Sequence, residues 1–343
     1  MLFLFTGVSA LAPSLLLVWY FHRRDLYPEP PRVLWTTFGL GVISVLFVLP
    51  VEWIVSVPLQ GVEGFIGRGA GEAFFEAAIP EEFFKLAVLL AYSYRQREFD
   101  EPMDGIVYGA VASLGFATLE NVLYVFNGGM GVAVVRALTA VPFHASAGAI
   151  MGYFAGRARF LPGRKLPLIL KGFGAAVLLH GLYDFPLLSL EAAKASPANV
   201  IPPGPLAVSG LLLLTLASLI FSMAWTIKLI RRSRRDQMKT MTPLSPPAPE
   251  KVGRKDRISG VIQTVAGFIG AGVGGMMTLA LALAFAFGMV AADEVFEVVL
   301  GGAIIGLAPL LLGLILFVRG IRRLNHPASG PGLKYDENAM GDP

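Results

Sequence analysis

Nine apolar runs separated by short polar connections organise the chain, at 2–21, 33–58, 73–94, 104–127, 132–156, 166–190, 205–230, 260–290 and 295–318. Each reaches or approaches the ~20 residues that a helix needs to cross ~30 Å of hydrocarbon. The run at 260–290 is long enough to tilt or to extend into the interface. The pattern predicts an all-α, polytopic transmembrane helix bundle of about nine helices.

Basic residues test that count. They crowd the connections after the first, third, fifth, seventh and ninth runs: Arg23, Arg24 and Arg32; Arg95 and Arg97; Arg157, Arg159, Arg164 and Lys165; Arg231 through Arg257; Arg319, Arg322 and Arg323. The alternate connections hold only Arg68 and Lys194. This alternation is the positive-inside pattern of nine spans, with the N-terminus outside and the C-terminus in the cytoplasm. The first run lacks a basic leader, and after Ala10-Leu11-Ala12 it continues apolar through Phe21, so it is expected to be a retained helix instead of a signal peptide.

Composition agrees. Charged residues are 15% of the chain, against about 25% in soluble domains, and the mean hydropathy is +0.65. With no cysteine, disulfide scaffolds and thiolate sites are excluded. A net charge of +4 invites a nucleic-acid reading, but the basic residues lie between apolar runs, where they serve topology, and no nucleic-acid partner is expected. Residues 231–258 mix basic residues with a Pro-rich stretch and read as a disordered cytoplasmic linker lying against anionic headgroups. They divide a seven-helix core, 1–230, from a transmembrane hairpin at 259–318 and a disordered cytoplasmic tail at 319–343. Small residues at four-residue spacing (Gly148, Gly152 and Gly156; Gly270 and Gly274) read as close-packing positions.

The informative residues are ionisable and lie inside the runs. The third run carries Glu81, Glu82 and Lys85, the fourth Glu120 and Asn121, the fifth His144, and the sixth His180 and Asp184. His180 and Asp184 are four apart and share a helix face, a line continued by Gly172 and Ala176. A charge at a helix centre costs on the order of 2.5–3.5 kcal/mol, and the five charged residues together about 10 kcal/mol or more. Packing alone does not require that expense, so these side chains are expected to face one another or a water-filled cavity. Lys85 has the spacing for a salt bridge to Glu81 or Glu82, leaving at least one glutamate without an equivalent partner. Asp104, after Pro102, reads as an N-cap, and His22 and His326 as solvated.

Carboxylates and imidazoles without a Cys, a G-x-S-x-G elbow or an H-E-x-x-H motif suit water activation by a general base with imidazole support. The same groups are good ligands for a divalent metal such as zinc, and the residues leave that choice open.

The series Pro80-Glu81-Glu82-Phe83-Phe84-Lys85, Asp104-Gly105-Ile106-Val107-Tyr108-Gly109, Gly115 through Asn121, Pro142-Phe143-His144 and His180 through Phe185, with Tyr27-Pro28-Glu29-Pro30-Pro31 before it, resembles the PrsW family of intramembrane proteases. That family is distantly similar to the CAAX-processing prenyl endoproteases. The resemblance implies an intramembrane endopeptidase of glutamic type, without a cofactor. Glu81 would be general base and Glu82 its charge-network partner with Lys85. Glu120 and His144 would complete the water site, while His180 and Asp184 would stabilise the oxyanion, with Asn121 supporting. It also implies membrane-protein substrates, such as single-pass anti-sigma factors, and a bacterial plasma membrane. The competing class is a proton- or cation-coupled transporter using the same acid and His cluster; no internal repeat of the kind transporters carry is visible. A third reading is a catalytically silent scaffold, which would tolerate loss of the acids.

Overall fold

The computed structural model describes residues 2–161, 163–196 and 202–240, with a few isolated positions between 263 and 319. The runs expected at 260–290 and 295–318 and the tail thus lie outside the described residues, apart from those positions. The described residues are helical, with no strand: α1 Leu2–Arg24, α2 Pro31–Leu59, α3 Phe65–Gly71, α4 Ile79–Ala91, α5 Pro102–Leu138, α6 Ala140–Phe160, α7 Lys165–Lys194 and α8 Pro205–Thr240. A π-helical segment, Glu72–Ala78, joins α3 to α4 in one continuous rod. Among the described residues four stretches are long and apolar enough to span a membrane: Pro31–Leu59, Pro102–Phe160, Lys165–Lys194 and Pro205–Lys239.

Three boundaries differ from the sequence expectation. Hydropathy places a fifth helix from 132, but α5 breaks at Gly129 (φ 73°), continues helically through 130–138, and α6 begins only at Ala140. The positive φ at the break favours glycine, which alone has no Cβ to penalise it. The first ten residues of the linker expected from 231 are helical, because α8 runs to Thr240; the Arg, Asp and Gln of its last turns are compatible with helix whatever their polarity. Asp104 is not the N-cap. Pro102 occupies the first helical turn, so the cap falls on Glu101, and Asp104 closes a capping box by accepting the Glu101 amide at 2.8 Å.

α5 is the central helix. Every residue from Pro102 to Thr118 is buried, which its all-round apolar sequence permits. Glycines set its spacing to its neighbours. A Cβ on Gly105 or Gly109 would strike the carbonyl oxygens of Gly152 and Gly148 on α6, and one on Gly152 or Gly148 would strike those of Gly105 and Gly109 in return. Gly41 on α2 and Gly115 on α5 meet the facing backbones of Ala112 and Phe38 in the same way. Such close crossings are how helices gain packing energy where lipid removes the hydrophobic drive. α8, by contrast, packs on α6 and α7 by one side and exposes Leu213, Leu216, Ile220 and Phe221 on the other.

The connections that charge alternation assigns to one side meet at one end of the bundle. Gln237 of α8 donates to Asp25 after α1 and to Glu101 before α5, and the Arg159 guanidinium lies over the rings of Tyr94 and Phe99. Burial pushes Glu29 up to about 7 and Glu101 up to about 9 at this end, and raises Asp25.

Candidate active site

α4 delivers three of the predicted residues from its first two turns, and Pro80, which has no N–H to donate, sits where the π-helical segment passes into it. The spacing of Glu81, Glu82 and Lys85 lets one ammonium reach both carboxylates. Lys85 Nζ donates to Glu81 Oε2 and to Glu82 Oε1, each at 2.8 Å, and also lies 3.0 Å from His144 Nδ1 and 4.2 Å over the ring of Phe116. The expectation that Lys85 would leave one glutamate without an equivalent partner is therefore corrected: a fully buried ammonium serves both equally.

His144 of α6 faces Lys85 with Nδ1 and Glu120 with Nε2, which lies 2.8 Å from Glu120 Oε2. Since an ammonium can only donate, Nδ1 is the accepting nitrogen and Nε2 carries the proton toward Glu120. On α7, His180 Nδ1 is 2.9 Å from Glu82 Oε1 and Nε2 is 2.9 Å from Asp184 Oδ2 and 3.9 Å from Glu81 Oε2. With carboxylates on both sides, a ring protonated on both nitrogens satisfies every contact. The two imidazoles meet edge to face at 5.2 Å, and Phe143, stacked on Tyr183 at 4.4 Å, backs His180. Gly172 admits the α6 backbone at Met151, the close approach that its place in line with His180 implies.

All eight predicted residues lie in one connected cluster. Glu81, Glu82, Lys85, Glu120, His144, His180 and Asp184 are joined by contacts of 3.0 Å or less. Asn121 stands behind them, donating to the Ala10 carbonyl of α1 and accepting from Arg136. Two residues were missed. Arg136, in the 130–138 segment, lies 3.0 Å from Glu120 Oε1, donates to Asn121 and covers the ring of Tyr124. Glu52 of α2 lies within electrostatic reach of Glu81 and Glu120. The rule that singled out the others, a charge inside an apolar run, covers both.

The cluster is layered. Glu82 and Lys85 have no exposed side-chain surface, whereas Glu81, Glu120 and Asp184 keep 6%, 17% and 21%. The exposed edge of the cluster therefore lies on the side of Glu120 and Asp184. Glu82 Oε2 is buried without a hydrogen-bond partner.

Donor atoms of Glu81, Glu82, His144 and His180 come within 4.8 Å of one another, and two carboxylates with two imidazoles match zinc in kind. Lys85 stands among them. The Lys85 ammonium makes hydrogen-bond-length contacts to Glu81, Glu82 and His144 at once, and a divalent ion on those atoms would face that positive charge.

Comparison with known proteins bears on this geometry. The family model described as "PrsW family intramembrane metalloprotease" matches residues 29–227, a span that holds every residue of the cluster. The protein named Protease PrsW in Geobacillus kaustophilus is 40% identical over 190 residues, 55% of this chain and 82% of that relative. Its namesake in Bacillus subtilis is 38% identical over 191 residues, 55% and 85% of the two chains. In Clostridioides difficile the figures are 27% over 187 residues, 52% and 77%. No solved structure matches the chain.

Proposed function

This chain belongs to the PrsW family of intramembrane proteases, and from that premise we propose that it is an endopeptidase of glutamic type, cutting membrane proteins with a water activated by Glu81. The observation that carries this reading is the Glu81–Lys85–Glu82–His180 chain of contacts buried between α4 and α7. Glu82, locked between Lys85 and His180 with no exposed surface, is placed to hold charge. Glu81 shares the same lysine yet keeps an edge toward the exposed side, as a base must to meet a water. Glu81 takes a proton from that water as its oxygen bonds to the scissile carbonyl carbon. The proton passes to the departing nitrogen as the C–N bond breaks. Glu120 and His144 hold the water, and His180, oriented by Asp184, donates to the developing oxyanion.

In the same reading residues 1–230 form the catalytic core and 259–318 an appended transmembrane hairpin. The N-terminus lies outside and the membrane is a bacterial plasma membrane. Substrates are membrane proteins, with single-pass anti-sigma-factor-like chains the first to try. A metal-dependent reading is favoured by the family description and the donor kinds. Glu81, Glu82, His144 and His180 would hold the ion, which would polarise the carbonyl and lower the pKa of water, and Lys85 would have to withdraw.

The test is cleavage of a panel of single-pass membrane substrates by the purified full chain in liposomes. Wild type is compared with Glu81→Gln, Glu82→Gln and His180→Ala, with and without chelator. Loss in the variants with indifference to chelator is the expected result. Loss with chelator replaces it by the metal-dependent reading, and cleavage surviving all three substitutions removes the site.

A further inference from the structure

At the end of the bundle where α1, α5 and α8 converge, a second set of polar side chains is buried away from the candidate active site. Asp25, Glu29, Glu101 and Asp104 are each 5% exposed or less, and Gln237 is 1% exposed. The donors they meet are neutral. Tyr108 donates its hydroxyl to Glu29, Gln237 donates Nε2 to Asp25 (2.7 Å) and to Glu101, and the backbone amides of Tyr27, Asp100 and Glu101 supply the rest. Arg159 acts on Asp104, and His22 on Asp25, through space.

Four oxygens are left over: Asp25 Oδ2, Glu101 Oε2, Asp104 Oδ1 and Gln237 Oε1 are buried without a hydrogen-bond partner. Every one is an acceptor. Buried polar groups are as a rule satisfied, and each exception calls for an explanation. Against these four orphan acceptors stands one orphan ring nitrogen within electrostatic reach, His22 Nδ1 near Asp25, so positive charge is in short supply here.

Donor atoms of Asp25, Glu29 and Asp104 lie within 4.8 Å of one another. Oxygens around a cation at about 2.1–2.6 Å are separated by at most roughly 4–5 Å, so the three fit one coordination sphere. All the donors are carboxylate or amide oxygens, which selects hard cations over zinc or copper. We propose that Asp25, Glu29 and Asp104, backed by Glu101 and Gln237, bind a single Mg²⁺- or Ca²⁺-class divalent cation that clamps the α1–α2 connection to the starts and ends of α5 and α8. The site is separate from the candidate active site in ligands and in cation class.

The test uses the full chain purified in detergent and stripped with EDTA, with Mn²⁺ as the paramagnetic probe. Equilibrium binding followed by electron paramagnetic resonance should show one Mn²⁺ per chain, displaced by Mg²⁺ or Ca²⁺. Thermal unfolding should shift upward with the same ions. Asp25→Asn and Glu29→Gln should each weaken binding by roughly 100-fold or more, beyond the roughly 10–100-fold cost of changes outside the ligand shell. Glu82→Gln should leave it unchanged, which separates this site from any ion held by the core cluster. Absence of stoichiometric Mn²⁺ binding to folded wild type would overturn the proposal and leave protons as the neutralising charge. Binding lost in Glu82→Gln but kept in Asp25→Asn and Glu29→Gln would overturn it too.

Discussion

Among the described residues two clusters of carboxylates lie within the fold, and they are built on opposite principles. In the core, Glu81, Glu82, Glu120 and Asp184 are matched by Lys85, Arg136, His144 and His180, each base within 3.0 Å of an acid. At the end of the bundle, Asp25, Glu29, Glu101 and Asp104 meet a phenol, an amide and backbone N–H groups, none of them a cation. The first cluster has its cations built in, which lets it persist deep in the bundle. The second is incomplete as a chemical object. A polar cluster at membrane depth is thus not one kind of thing: what decides its role is whether positive charge is built into the fold or has to arrive.

The sharpest way to break this contrast is at the proposed base. Glu81→Gln should lower the rate of substrate cleavage by about 10²–10⁴-fold, the usual worth of a general base, with the fold intact by circular dichroism. Lys85→Met attacks the balance itself. Removing one partner of a buried ion network costs roughly 3–5 kcal/mol, so the melting temperature in detergent should fall steeply. An unchanged melting temperature would mean that the core acids do not depend on the lysine. Arg136→Gln strips Glu120 and Asn121 of a shared donor, and urea or thermal unfolding should report a loss of about 1–3 kcal/mol, with cleavage impaired. Smallest and most diagnostic is Glu101→Gln. In chelator it removes one of four unbalanced acids while keeping an acceptor for Gln237, and should stabilise the chain, on the order of 1 kcal/mol. A loss of stability there would erase the difference between the two clusters.

How much of this was legible in the sequence depends on where each residue sits. Glu81, Glu82, Glu120, His144 and His180 stand out because polar groups interrupt runs that are otherwise apolar, and the cost of such interruptions forces them together. Arg136 and Glu52 obey the same rule but sit near the ends of their runs, where a charge reads as interfacial. The bend at Gly129 then turns Arg136 inward. The second cluster was illegible for a different reason. Its members lie in or beside three connections, with Asp25 and Gln237 212 positions apart, and taken one by one they offer no more than a helix cap at Asp104 and polar residues between runs. The glycines at 148, 152 and 156 read correctly as packing positions, because small residues at this spacing have one physical use between helices. Gly152→Val should therefore cost about 1–3 kcal/mol by overpacking against α5, readable in the same unfolding assay.

The π-helical segment Glu72–Ala78 carries a consequence of its own. An α-helix advances about 100° per residue, and a π-helical stretch holds a residue more per turn than the α-helix around it. The rod from Phe65 to Ala91 therefore works as a rotational offset, with α3 docked on α7 at Gly69 against Ser189 and α4 turned so that Glu82 meets His180. Taking one residue out of 72–78 would let the segment relax to plain α-helix with its hydropathy almost untouched. It would swing the two glutamates about a quarter turn off their histidine. The phase of the candidate active site is thus written in the length of a segment outside the cluster.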